Sequence, residues 1–500
     1  MTAQGTHNAK QFQTHTIMSE ITLQPKAVFD CFAQINKIPR PSHHEQQMGA
    51  FLVNYGKSLG LETLQDATGN VLIRKPATKG YEGLKTTVLQ SHMDMVCEKV
   101  AGLEFDFSKD AIQTYVDGLW LKAKGTTLGA DDGIGIAMEM AILADDTIEH
   151  GPLECLFTVC EEEGLNGAMG LEPGFMKADY LINLDSEDEG LIFISCAGGA
   201  NTKVAFDANL EDAPQGQFFF KIQISGLTGG HSGDDIEKKR ANANKLLARL
   251  LDAFKKYGIR LADIQAGGLH NAIPRDGYAI ACVPQQHKES LRVDFNVMVA
   301  EFEEEFSATE KNMDFKLEST DPQAKVLAKD TSDKLLTALV SVPNGIIAMD
   351  QNIPNFVETS SNLASIHLNG NSVDIVTSQR SNIMSARKNA SAMVRGVFSL
   401  AGAKVETGEG YPGWKLDPSS PLLSITVDAY KRLFGKDPEI KAIHAGLECG
   451  LFSLKYPHMD MVSFGPTLRG VHSPEERLLI PTVQQVWDHL VEVLKNIPAK

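Results

Sequence analysis

The chain has 500 residues, more than one hydrophobic core ordinarily supports, so at least two structural units are expected. Its formal net charge of -17 excludes a nucleic-acid surface, which needs a basic excess, and no apolar run approaches a membrane span. Seven scattered cysteines with no Cys-x-x-Cys pair point to free thiols in a reducing cytoplasm.

Residues 1–17 form a polar opening that reads as a disordered leader, with Met18 as an alternative start. Apolar residues at helical spacing predict helices over 26–37 and 45–59, with Pro39 and Pro41 breaking the chain between them. Strands follow over 71–74 and 87–90, the first after the turn signal Thr68-Gly69-Asn70. The second strand opens into Ser91-His92-Met93-Asp94. On extended backbone, residues two apart point to one side, so Asp94 can hold one imidazole nitrogen of His92 and leave the other for a metal. For a lone His-x-Asp a hydrogen-bonded core histidine is the favoured reading, and the case for metal rests on the rest of the chain.

A further strand is predicted over 119–123, then a glycine-rich loop, 125–135, feeding a helix over 136–144. The loop is neither Gly-x-Gly-x-x-Gly nor a Walker loop, and Asp131 and Asp132 in its middle would repel phosphate. Glycines that let backbone crowd a site, with Asp131 pointing into it, suit a cation better. The strand predicted over 153–159 ends in Cys160-Glu161-Glu162-Glu163, and the one over 180–184 ends in Asp185. Adjacent carboxylates repel unless a positive charge or water separates them. Three buried strands thus deliver ligand-type side chains at their carboxyl ends, where α/β sheets build sites.

The middle of the chain mixes strands over 218–225, 278–283, 363–368 and 373–377 with helices over 241–254, 334–342 and 384–400, a separate α+β unit. The last hundred residues return to helix (421–434), strand (461–464) and a long helix (482–497), with His472 in a loop straight after the strand.

His92, Asp131, Glu162, Asp185 and His472 are together too many N and O donors for one tetrahedral ion, and suit two divalent ions sharing a carboxylate. On this reading Asp131 bridges, His92 and Asp185 complete one site, and Glu162 and His472 the other. Glu161 remains free as the general base for a metal-activated water, and Glu163 is expected to face solvent.

Ser91-His92-Met93-Asp94, the glycine-flanked Asp131, Glu161-Glu162-Glu163-Gly164, Asp185 and His472 resemble the co-catalytic zinc peptidases that include aminoacylases, carboxypeptidase G and bacterial dipeptidases. The resemblance extends through 229–233, 271–275, 411–414 and 444–450, and covers the chain apart from residues 1–17. It implies an α/β catalytic domain, residues 18–200 and 405–500, with a central mixed sheet flanked by helices, and an inserted α+β lid and dimerisation domain, 201–404. It further implies two divalent ions, zinc first with cobalt or manganese as alternatives, and broad hydrolysis of unblocked dipeptides including Xaa-His. The partners implied are small dipeptides and a second copy of the chain in a cytoplasmic homodimer.

By the same resemblance Glu161 corresponds to the base and Asp94 to the residue clamping the first zinc histidine. His231 is the candidate oxyanion donor, although by pattern alone it is equally a turn histidine. Asn271, Arg380, His444, Gly446 and Glu448 correspond to substrate-contacting positions, with Arg380 suited to a C-terminal carboxylate. Two departures stand out: Cys160 replaces the usual Asp or Thr, and Asp132 replaces Asn beside the bridging carboxylate. The rival readings are an N-acyl-amino-acid amidohydrolase of the same fold and a peptide-binding protein without catalysis.

Overall fold

A computed structural model describes residues 22–351, 353–415, 417 and 419–500. The expected leader and the alternative start Met18 lie outside the described residues. The first sheet is mixed and eight-stranded, in the order Glu62–Gln65, Val71–Lys75, Leu153–Thr158, Thr87–His92, Tyr180–Asn183, Asp460–Ser463, Leu191–Cys196, Glu439–Ile443. Its four central strands, from Leu153–Thr158 to Asp460–Ser463, are mutually parallel, so their carboxyl ends share one edge.

Thr87–His92 is buried throughout because helices cover both faces of the sheet. Successive side chains alternate between two cores. Val88, Leu156 and Leu181 pack in one; Leu89, Phe157 and Ile182 pack in the other, with the helices Lys26–Ile35, Ala130–Ala144 and Ile480–Lys495. Each large apolar side chain so buried contributes about 1.5–3 kcal/mol. Helix Pro421–Phe434 ends where the sequence places its signals. The Ser420 hydroxyl accepts the Leu423 N–H at 2.9 Å, Pro421 opens the first turn, and Gly435 closes the helix at φ 67°.

The second sheet is antiparallel and runs from Gly198–Asp207 to Lys404–Thr407, just outside 201–404 at both ends. Four helices accompany it: Ala243–Ala253, Lys288–Glu305, Lys329–Ser341 and Met384–Leu400. Its core is separate from the two above, and Leu246, Leu247, Leu250 and Leu251 of the first helix all belong to it.

Several elements depart from the pattern reading. The short strands expected over 363–368 and 373–377 are a long hairpin, Val357–Asn369 and Ser372–Ser381. Its outer end carries Thr359, Ser360, Ser361 and Asn362, all buried, so no apolar alternation marks it. Helix Lys288–Glu305 and strands Leu191–Cys196, Gly198–Asp207 and Arg260–Gly267 also went unrecognised. The helix expected to begin near residue 136 starts at Ala130, with Asp131 and Asp132 in non-helical conformation inside it. That irregular turn is what aims Asp131 out of the helix.

Candidate metal centre

His92 ends the central strand Thr87–His92, and the carboxyl ends of its two parallel neighbours supply the residues on either side: Glu161 and Glu162 after Thr158, Asp185 after Asn183. His92 Nδ1 lies 3.2 Å from the carbonyl oxygen of Asp94 and 3.4 Å from its Oδ1. Nδ1 therefore carries the hydrogen, and Nε2 faces the centre as a lone-pair donor. That Nε2 is 3.1 Å from Asp131 Oδ1 and 3.5 Å from Asp185 Oδ1.

The other oxygen of Asp131 serves a second group. Asp131 Oδ2 is 3.1 Å from His472 Nε2, which is also 3.0 Å from Glu162 Oε2. The five ligand candidates therefore fall into two sets joined by one carboxylate, Asp131. Asp132 is an addition that the spacing did not assign: its ligand atoms lie within 4.8 Å of those of His92 and Asp185. It is buried, its Oδ1 accepts the Gly135 N–H at 3.2 Å, and its Oδ2 has no partner among the described residues.

The electrostatics show a deficit of positive charge. Burial pushes the carboxyls of Glu161 and Asp132 well above the usual range, and Asp185 up to about 7, with neighbouring carboxylates adding to each. Hydrogen bonds to Asp131 and Glu162 hold the His472 imidazolium up to about 11. Two imidazoles cannot neutralise this many carboxylates. The buried Glu162 Oε1 also has no partner among the described residues. The donor set fits divalent cations: His92 with Asp132 and Asp185, His92 with Glu161 and Glu162, and Asp131 with Glu162 and His472 each bring three ligand atoms within 4.8 Å of one another.

Asp94 shapes the site from behind. Its Oδ1 accepts the Glu161 N–H at 3.0 Å, its Oδ2 accepts the Glu162 N–H at 3.2 Å, and the Ser42 hydroxyl donates to Oδ2 at 2.8 Å. Glu45, also buried, accepts the Cys160 N–H at 3.0 Å. Three consecutive amides of the Glu161 loop are thus fixed by two carboxylates, one of them on a residue no motif marked. Glu163 faces outward and pairs with His43 Nε2 at 2.9 Å.

A cavity of ≈ 1050 Å³ opens over the centre, with Val357 and Arg380 of the second sheet among its lining residues. His231, Asn271, Arg380, His444 and Gly446 all line it. Arg380 Nη2 is 3.4 Å from His231 Nε2, and its Nη1 donates to the Tyr411 hydroxyl at 3.1 Å. Arg380 is buried at the cavity wall, not set on the surface. Tyr411 lies in the 411–414 stretch already singled out and lines the cavity beside Arg380.

Glu448 is a correction. It does not line the cavity; it is fully buried under the sheet, accepting from Gln90 Nε2 at 2.6 Å and the Thr158 hydroxyl at 2.8 Å. Helix Glu448–Lys455 starts at this residue and turns its side chain beneath the strands, so Glu448 cannot touch a substrate in the cavity.

Residues 88–496 match the sequence model described as peptidase family M20/M25/M40. The chain is similar to the cytosol non-specific dipeptidase of Escherichia coli (strain K12), 44% identical over 485 residues that cover 97% of this chain and 100% of the relative. Its fold matches the crystal structure of aminoacylhistidine dipeptidase from Vibrio alginolyticus with a TM-score of 0.88 and 42% identity, covering 96% of this chain and 98% of that one. The aminopeptidase PepT from Bacillus cereus ATCC 10987 shares the fold at a TM-score of 0.60 and 18% identity, over 94% and 98% of the two chains.

Proposed function

The chain belongs to peptidase family M20/M25/M40, and from that premise we infer that it is a metal-dependent dipeptidase hydrolysing the single peptide bond of unblocked dipeptides. The observation that carries this reading is the split of Asp131, whose two oxygens each lie 3.1 Å from a different imidazole Nε2, those of His92 and His472. The printed names of the similar proteins, a non-specific dipeptidase and an aminoacylhistidine dipeptidase, support broad specificity that includes Xaa-His.

Two divalent ions in these sites, zinc first with cobalt or manganese as alternatives, would supply Lewis acidity at the scissile carbonyl and acidify a water. The chain's own residues do the rest. Glu161 takes the proton from the attacking water and returns it to the leaving amine as the C–N bond breaks. Burial moves this carboxyl upward, the direction in which a base must move from the ordinary Glu value to exchange protons near neutrality. Asp94 fixes the His92 tautomer and the backbone under Glu161. His231 donates to the developing oxyanion, while Arg380 pairs with the C-terminal carboxylate of the dipeptide.

We assign residues 201–404 to a lid that brings His231, Asn271 and Arg380 over the catalytic domain formed by 18–200 and 405–500. The free thiols of all seven cysteines support a reducing, cytoplasmic setting. No helix among the described residues is long and apolar enough to cross a membrane. A homodimer, implied by the family resemblance, is part of the proposal.

Metal analysis and a dipeptide panel on one preparation test the reading. We expect two divalent ions per chain and hydrolysis of several dipeptides. A preparation holding both ions that is inert to the panel but cleaves N-acyl amino acids would overturn it.

A further inference from the structure

His472 is the one ligand candidate on a loop open to solvent. Its side chain is 50% exposed and its backbone is left-handed at φ 60°. Four residues on, the same loop sends a carboxylate into the interior: Glu476 is 2% exposed. Glu476 Oε2 accepts the N–H groups of Leu128 at 2.7 Å and Gly129 at 3.0 Å, and Oε1 accepts those of Ala130 at 2.8 Å and Asp131 at 3.3 Å. One side chain thus takes four consecutive amides of the segment that ends in the bridging Asp131.

Arg40 is the cationic counterpart. It is 1% exposed, and its Nη1 donates to the carbonyls of Met93 at 3.1 Å and Asp94 at 2.7 Å, while Nη2 donates to the carbonyl of Gly129. The glycines of the 125–135 loop make room for it: a Cβ on Gly129 would lie 2.5 Å from Arg40 Nη2, and one on Gly133 would lie 2.6 Å from it. Burying two charges for stability alone is poor physics, because well-packed apolar side chains do as well or better. What the charged pair adds is direction. Each group ties together backbone segments distant in sequence: Glu476 joins the His472 loop to the Asp131 turn, and Arg40 joins the Asp131 turn to the His92-to-Asp94 turn.

We propose that Glu476 and Arg40 are positioning residues that hold the three ligand-bearing segments in one frame, so that the separations among His92, Asp131 and His472 exist before any cation arrives. The inference rests on the reading of the centre as a two-ion site. Neither residue touches the ions or the substrate; both act through the backbone that carries the ligands.

The test measures divalent-ion affinity by competition with a chromophoric chelator, together with cobalt absorption spectra and thermal unfolding of the metal-free protein. The variants are Glu476→Gln, which puts an NH2 group against two of the four N–H donors, and Arg40→Lys, which keeps the charge and loses the fork. Folded variants are expected to bind the ions about 10–100-fold more weakly, with altered cobalt bands. Affinity within about twofold of the wild type in a folded variant, with only the unfolding temperature lowered, overturns the proposal. If neither variant folds, Gly133→Ala displaces the guanidinium without removing a charge, and unchanged affinity there overturns it equally. A wild-type protein that fails to take up two ions overturns the reading of the centre itself; a two-ion wild type matched by its variants overturns only the positioning.

Discussion

Asp94 Oδ1 accepts the backbone N–H of Glu161 at 3.0 Å while lying 3.4 Å from His92 Nδ1, so one carboxylate orients both a metal ligand and the loop of the proposed base. Asp94→Asn should keep the side chain's shape but cannot accept from the His92 imidazole and the Glu161 and Glu162 amides together. We expect metal affinity and kcat/KM each to fall by about 10–100-fold. Chelator competition and steady-state kinetics read the two effects, and an unchanged pair of values would remove Asp94 from this role.

Glu161→Gln leaves the ligand set intact and removes the proton carrier. Turnover should fall by about 10²–10⁴-fold with two ions still bound, as metal analysis of the same sample would record. Near wild-type turnover in that sample would assign the base elsewhere.

His231→Ala should cost about 10²–10³-fold in kcat with little change in KM, since a donor to the oxyanion acts chiefly in the transition state. Its closeness to Arg380, 3.4 Å between Nε2 and Nη2, makes the KM the informative control. An effect confined to KM would mean that His231 serves substrate binding through Arg380.

His489 sets a pH dependence of stability. It is buried, packed beside Phe464 and Tyr430, and its Nε2 donates to the Thr426 carbonyl at 2.8 Å. Burial pushes its pKa from the ordinary 6.5 down to about 4. Between these values the unfolded chain binds the proton and the folded one does not. Stability present above 6.5 is therefore lost as pH falls toward 4, by about 3 kcal/mol from this group. Urea unfolding across that window should show a shallower loss in His489→Gln, whose amide can still donate to Thr426; equal slopes would acquit His489.

Glu448 shows where pattern reading ends. Its loop was recognised as part of the site, and the loop does line the cavity through His444 and Gly446. The side chain itself points the other way, into a polar floor with Gln90 and Thr158, because the helix begins at that residue and fixes its direction. Glu476 is the reverse case. It stands in a stretch the sequence offered as the His472 loop, among other acidic residues, and nothing local separates it from the exposed Glu475.

By itself the sequence determined that apolar runs would become buried strands, and that His92, the paired glutamates and Asp185 would stand where those runs stop, because burial and period are written in neighbouring residues. It offered Asp131 as the bridge between the His92 and His472 sites, but it could not determine the 3.1 Å approach of each Asp131 oxygen to its histidine, one of them 341 positions away, nor that Glu476 and Arg40 would frame them. Those relationships depend on how the parallel strands order in the sheet and on which loops then meet at its edge, and only the packed chain brings such distant residues within bonding reach.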